Sequence, residues 1–233
     1  HRHFINSDFV APNVLEIDVN TGVLAELAEV TGCLQQLGMV EGPVDLGNGV
    51  RLHSTHPSWK SDILWISQAD RAGYDYFEDI FRRLRIAENV ASKIPHDNEI
   101  IMYSGFFVTR SFCDQPDFHH DWVDADNNAF TYLGPVSANC GELGLVYQNL
   151  RGQQGHYDYR LGKGLVFGDY FLHSTAPGRA SGNASGSTRS RRANRFAKSS
   201  RGPKITDGWK IVHCRSGPHS SRMTRSARPL LRR

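Results

Sequence analysis

Hydrophobic residues from Gly22 to Met39 recur at the spacing of an amphipathic helix, with Val23, Leu24, Leu27, Val30, Leu34 and Leu37 on its apolar side. Gly38 stands where such a helix stops. Tyr74, Phe77, Ile80, Phe81, Leu84, Ile86 and Val90 predict a second, longer helix over Ala72–Lys93, closed by Pro95. Its Arg82, Arg83 and Arg85 are expected to face water. Between the helices, Val50–His53 and Asp62–Ser67 read as short strands. Beyond Pro95 the helical period disappears, and strands are expected at Glu99–Arg110, Ala129–Pro135, Glu142–Tyr147, Gly155–Arg160 and Gly164–Phe167. Turn-forming clusters such as DADNN and NLRGQQG separate them.

Helices first and a compact antiparallel region second predict a mainly β, α+β chain: a double-stranded β-helix of the jelly-roll, cupin-like type, braced by N-terminal helices. The expected divisions are a helical preface with short strands over residues 1–95, a jelly-roll core over 96–182, and a basic Arg/Ser-rich tail over 183–233. Within the tail only Trp209–Cys214, WKIVHC, has the pattern of a strand. The rest is too poor in large apolar residues to build a core, and reads as disordered or as a GC-rich coding sequence translated out of frame from about Gly182.

Charge sharpens that division. Residues 178–233 hold 15 Lys+Arg against one acid, Asp207, a net of +14, and residues 1–177 hold 12 against 23, a net of −11; the whole-chain +3 is their sum. A basic arm of this kind suits nucleic acid, but without interleaved aromatic residues beyond Phe196 it does not form a stacking platform, and nucleic acid is not the expected partner. Cys33, Cys113, Cys140 and Cys214 form no CxxC pair and are expected to be reduced thiols. No apolar run reaches the length of a membrane span, and HRHFINSDF lacks a signal peptide's apolar stretch, so a soluble cytoplasmic chain is expected, cut from its natural N-terminus.

Chemistry concentrates in Phe118-His119-His120-Asp121-Trp122. In a strand, residues i and i+2 share a face, so His119 and Asp121 would reach one ion from a single strand end. His173, at the end of the apolar run LVFGDYFLH, is the expected third ligand. Two imidazoles and one carboxylate on one face of an ion leave the opposite positions open, the arrangement of non-haem Fe(II) oxygenases.

HxD with a distant His in a strand-rich region resembles the Fe(II)/2-oxoglutarate-dependent dioxygenase superfamily, phytanoyl-CoA dioxygenase-like proteins included. Gly141-Glu142-Leu143 resembles the GxL segment that follows the superfamily's HxD strand, and Gly164-Leu165-Val166-Phe167-Gly168-Asp169 with His173-Ser174-Thr175 resembles its distal-His strand. The likeness covers roughly Glu99 to Gly178. It implies an enzyme that takes Fe(II), 2-oxoglutarate and O2, with ascorbate as a reductant, and hydroxylates or desaturates a small organic substrate with release of succinate and CO2. Asp121 occupies the position that a halide needs in halogenating relatives, which implies hydroxylation or desaturation.

The same resemblance calls for a basic residue beyond the distal His to pair with the far carboxylate of 2-oxoglutarate. Arg189 is the expected one, in a stretch that has no strand pattern. Tyr103 and Tyr132 are expected to contact the cofactor, and Arg110 and Trp122 to line the substrate pocket; for each, core packing is the competing role. His120 is expected beside the site and His156 in a hairpin. A catalytically silent jelly-roll protein that binds metal or a small ligand is the alternative, followed by a nucleic-acid oxidative demethylase.

Overall fold

The computed structural model describes residues 4–37, 40–57, 63–94, 99–110, 112–126, 128–136, 143–179 and 208–215. In chain order it has strands β1 (Ile5–Asn6), β2 (Ala11–Pro12) and β3 (Val14–Asp18), helix α1 (Leu24–Leu37), then β4 (Gly42–Asp45), β5 (Arg51–Thr55) and β6 (Ile63–Gln68). Helices α2 (Arg71–Arg83) and α3 (Ile86–Ala91) precede a continuous run of strands: β7 (Ile100–Arg110), β8 (Phe112–Cys113), β9 (Ala129–Gly134), β10 (Leu145–Gln148) and β11 (Gln154–Tyr157). β12 (Lys163–Phe167), β13 (His173–Thr175), β14 (Gly178–Arg179) and β15 (Gly208–Arg215) complete it. The described chain is mainly β with few helices, and none of its helices is long and apolar enough to cross a membrane.

The first expected helix is present as α1, preceded by a 3-10 turn at Thr21–Val23 that Asn20 caps by accepting from the Gly22 N–H. The second is not one helix. It breaks at Arg85, whose φ of 58° is left-handed. At about 100° per residue, an unbroken helix would turn Ile86 and Val90 away from the side that buries Phe77, Ile80 and Leu84. The break rotates them back, and all five lie at 1% exposure or less. Arg82 and Arg85 do face water.

The larger sheet has the order β3-β12-β9-β15-β7-β6-β5-β4, every neighbouring pair antiparallel. It takes four strands from the preface and one, the strand expected at Trp209–Cys214, from the tail segment. β15 pairs with β7 along one side and with β9 along the other. Residues 183–207 and 216–233 of the expected tail lie outside the described residues. The smaller sheet has the order β11-β10-β13 and is extended by a bridge between His173 and His119. β8 and β14 pair separately.

Alternation along the strands sorts side chains into two cores. On one face of the larger sheet Leu64, Ile66, Met102, Phe107, Phe130, Tyr132 and Val166 meet Leu27, Phe77, Ile80 and Leu84 from the helices. Gly105 is required there, because a Cβ would stand 2.6 Å from Phe77. On the other face Val14, Leu165 and Phe167 meet Leu145, Tyr147 and Tyr157 of the smaller sheet and Phe171. Burying each such Leu or Phe is worth about 1.5–3 kcal/mol, so the second core clamps the two sheets together beside the histidines.

Candidate metal centre

The expected apolar strand LVFGDYFLH is interrupted. β12 ends at Phe167, Gly168–Tyr170 turn with Tyr170 left-handed at φ 63°, and a new strand begins at His173. Polar partners hold this turn from outside. Buried Asn13, left-handed at φ 52°, accepts the Gly168 N–H at its carbonyl (2.9 Å) and donates from Nδ2 to the Asp169 carbonyl (2.8 Å). The break moves His173 from the larger sheet to the smaller one.

There His173 meets His119. The two residues exchange both backbone hydrogen bonds, at 3.0 and 3.1 Å, and residues paired in this way project on the same side. Their rings lie 4.6 Å apart between centroids. Ser174 Oγ accepts the Asp117 N–H at 2.7 Å and secures the approach to His119. Each imidazole is oriented through its Nδ1, which lies 2.8 Å from the Asp117 carbonyl in His119 and 3.0 Å from the Phe171 carbonyl in His173. A carbonyl only accepts, so each neutral ring holds its proton on Nδ1 and its lone pair on Nε2.

Both Nε2 atoms face Asp121, whose Oδ1 lies 3.5 Å from that of His119 and 3.9 Å from that of His173. The three donor atoms all fall within 4.8 Å of one another and could hold a metal ion. Asp121 does not arrive by strand alternation, however. His119 makes only an isolated bridge and Asp121 sits in the bend after it. The bend is fastened to the Gly168–Tyr170 turn: the Tyr170 N–H donates to the Trp122 carbonyl (3.2 Å), the Ala125 N–H to Asp169 Oδ1 (3.0 Å), and the Tyr170 hydroxyl to Asp124 Oδ1. The Asp121 and His173 side chains are only 8% and 6% exposed, whereas that of His119 is 52% exposed, so the centre opens on the His119 side. Phe167 and Phe171 wall His173, with ring centroids at 4.5 and 5.5 Å.

A residue that sequence reasoning missed completes the carboxylate's surroundings. Buried Thr131, on β9, donates its hydroxyl to Asp121 Oδ2 at 2.8 Å and accepts the Trp122 indole N–H at 3.0 Å. A threonine within AFTYLG carries no local signal for this contact; only the pairing of strands brings it to Asp121. Trp122 thus touches the site through its indole nitrogen. His120 is beside the centre, and burial, then the neighbouring His119, hold its pKa below the usual imidazole value against the pull of Asp121.

The other expected residues are placed differently. Tyr132 follows Thr131 on the strand, so it faces the helix-side core, where burial raises its pKa, and the structure does not bring it to the triad. Tyr103 is exposed, at the register shift where β7 meets β15. Arg110 is buried at the end of β7, its Nε donating to the Phe112 carbonyl at 2.9 Å. His156 pairs with Asp158 on the β10–β11 hairpin, at 2.9 Å. Cys113 is buried, its thiol donating to the Gln115 carbonyl at 3.3 Å. Arg189 lies outside the described residues, as do Gly141 and Glu142.

No family model and no curated protein sequence matches the chain. Solved structures do resemble it. The non-heme alpha-ketoglutarate-dependent epimerase SnoN from nogalamycin biosynthesis matches over 87% of this chain and 76% of its own, at 13% identity and a TM-score of 0.50. SnoN in complex with Fe3+, alpha-ketoglutarate and nogalamycin RO matches over 87% and 79%, at 11% identity and a TM-score of 0.51. A 2OG-Fe(II) oxygenase-family protein from Burkholderia pseudomallei matches over 87% and 84%, at 12% identity and a TM-score of 0.47. At these identities the SnoN likeness is one of fold.

Proposed function

We propose that this chain is an Fe(II)- and 2-oxoglutarate-dependent oxygenase on a double-stranded β-helix, with His119, Asp121 and His173 as the iron ligands and a small organic substrate that is hydroxylated or desaturated. The observation that carries the reading is the convergence of two Nε2 atoms and one carboxylate oxygen within 4.8 Å. The donor set fits the group: two imidazoles, each with Nδ1 set against a carbonyl, and one carboxylate form the facial triad that suits Fe(II) and leaves positions for further ligands. The SnoN fold likeness is consistent with it, and the GEL and FGD…HST segments resemble those of the superfamily, phytanoyl-CoA dioxygenase-like proteins included.

Iron with 2-oxoglutarate and O2 supplies the oxidant; the chain supplies orientation and dryness. His173, walled by Phe167 and Phe171, and the little-exposed Asp121 carboxylate would keep water from the inner side of the ion, and the exposed side of His119 is the approach for substrate. Arg110 and Trp122 are proposed to face that substrate, and Tyr103 is a secondary candidate for cofactor contact, whereas Tyr132, turned to the helix-side core, is set aside. For the far carboxylate of 2-oxoglutarate a cation is needed. Arg189 is the candidate for it, and it lies outside the described residues.

Anaerobic titration with Fe(II) and then 2-oxoglutarate tests the reading. A weak visible charge-transfer band that needs both additions, and is lost in His173→Ala, is the expected result. Iron binding without the band would replace it with a silent metal-binding jelly roll, and absence of iron binding would end it.

A further inference from the structure

We infer that Thr131 is a positioning residue for the metal-binding carboxylate, held in a fixed proton order by Trp122. The inference rests on the metal site proposed above and concerns how one of its ligands is aimed. An indole nitrogen can only donate. Trp122 Nε1–H therefore gives its proton to Thr131 Oγ1 at 3.0 Å, and the threonine's own proton is left for Asp121 Oδ2 at 2.8 Å. A carboxylate oxygen can only accept, so no alternative direction exists along this chain of three groups.

The consequence is geometric. With Oδ2 turned to the β9 hydroxyl, Oδ1 is the oxygen that faces both imidazoles, at 3.5 and 3.9 Å. Thr131 is fully buried on a strand hydrogen-bonded on both sides, so its hydroxyl is a rigid reference point, unlike the bend that carries Asp121 itself. Trp122, next to the ligand in sequence, closes the loop by reaching the same hydroxyl, which ties the bend to the strand. The carboxylate is thereby set for coordination through one oxygen, and the remaining positions on the ion stay open to other ligands.

Co(II) and anaerobic Fe(II) titrations of the full chain test this, with His173→Ala as the control for the site itself. Thr131→Val keeps the side chain's shape and removes the hydroxyl; its metal dissociation constant should rise about 10–100-fold, the usual effect of losing a group that orients a ligand. Thr131→Ser restores the hydroxyl and should bind within about 3-fold of wild type. A purely structural role would move the thermal midpoint of the metal-free protein without this rescue. Wild-type binding lost in His173→Ala but unchanged in Thr131→Val would overturn the inference while leaving the site intact; no wild-type binding would remove the site and the inference with it. If Thr131→Val does not fold, Trp122→Phe decides: about a 3-fold or greater weakening supports the relay, as the ordinary worth of one hydrogen bond, and unchanged binding refutes it.

Discussion

Asn13 links the N-terminal segment to the turn that delivers His173, and its replacement by alanine should cost stability by an amount that can be counted. Its Oδ1 accepts the Phe4 N–H at 3.2 Å and its Nδ2 donates to the buried Asp169 carbonyl at 2.8 Å. Losing each is worth about 1 kcal/mol. At φ 52° an alanine adds about 1 kcal/mol of left-handed strain that asparagine tolerates better. The total is about 3 kcal/mol, or roughly 6–12 °C in Tm for a domain of this size. Asn13→Gly loses the same hydrogen bonds without the strain and should be about 0.5–1 kcal/mol less harmful than alanine. Urea unfolding of the metal-free variants measures both. An alanine variant within about 0.5 kcal/mol of wild type, well inside the ordinary scatter of surface changes, would refute the account, and so would a glycine variant weaker than the alanine one.

Acid should weaken the start of α2. Asp70 accepts the Gly73 N–H and pairs with Arg51, and these two, in that order, hold its carboxyl below the usual range. Its folded pKa lies below its unfolded one, so its contribution is full above about pH 4 and is lost as pH falls through the folded value. Asp70→Asn keeps a capping oxygen and should flatten stability between about pH 5 and 2; an unchanged pH profile in urea unfolding would count against this. Ending the chain at Gly182 should expose the edges of β7 and β9 that β15 joins, and yield aggregated protein on size-exclusion chromatography. A soluble, iron-binding truncation would show that β15 is dispensable.

Much of the kind of chain, and three residues that could hold a metal ion, can be read along the sequence. Helical spacing marked α1 and α2, alternation marked the strands from Ile100 to Phe167, and His119, Asp121 and His173 were legible because a two-His, one-carboxylate set is rare and has a chemistry of its own. Contacts between distant segments set what local pattern could not carry. The break at Arg85 answers to a core that Ile86 and Val90 must reach, which an unbroken helix would turn them away from. The turn at Tyr170 answers to Asn13, more than 150 residues earlier, and passes His173 from one sheet to the other. Thr131 and Tyr132 differ by one position, yet strand alternation sends one to Asp121 and the other to the helices. Residue chemistry is local and can be read along the chain, whereas which atoms share a hydrogen bond depends on strand pairing across long separations, which exists only once the chain has folded.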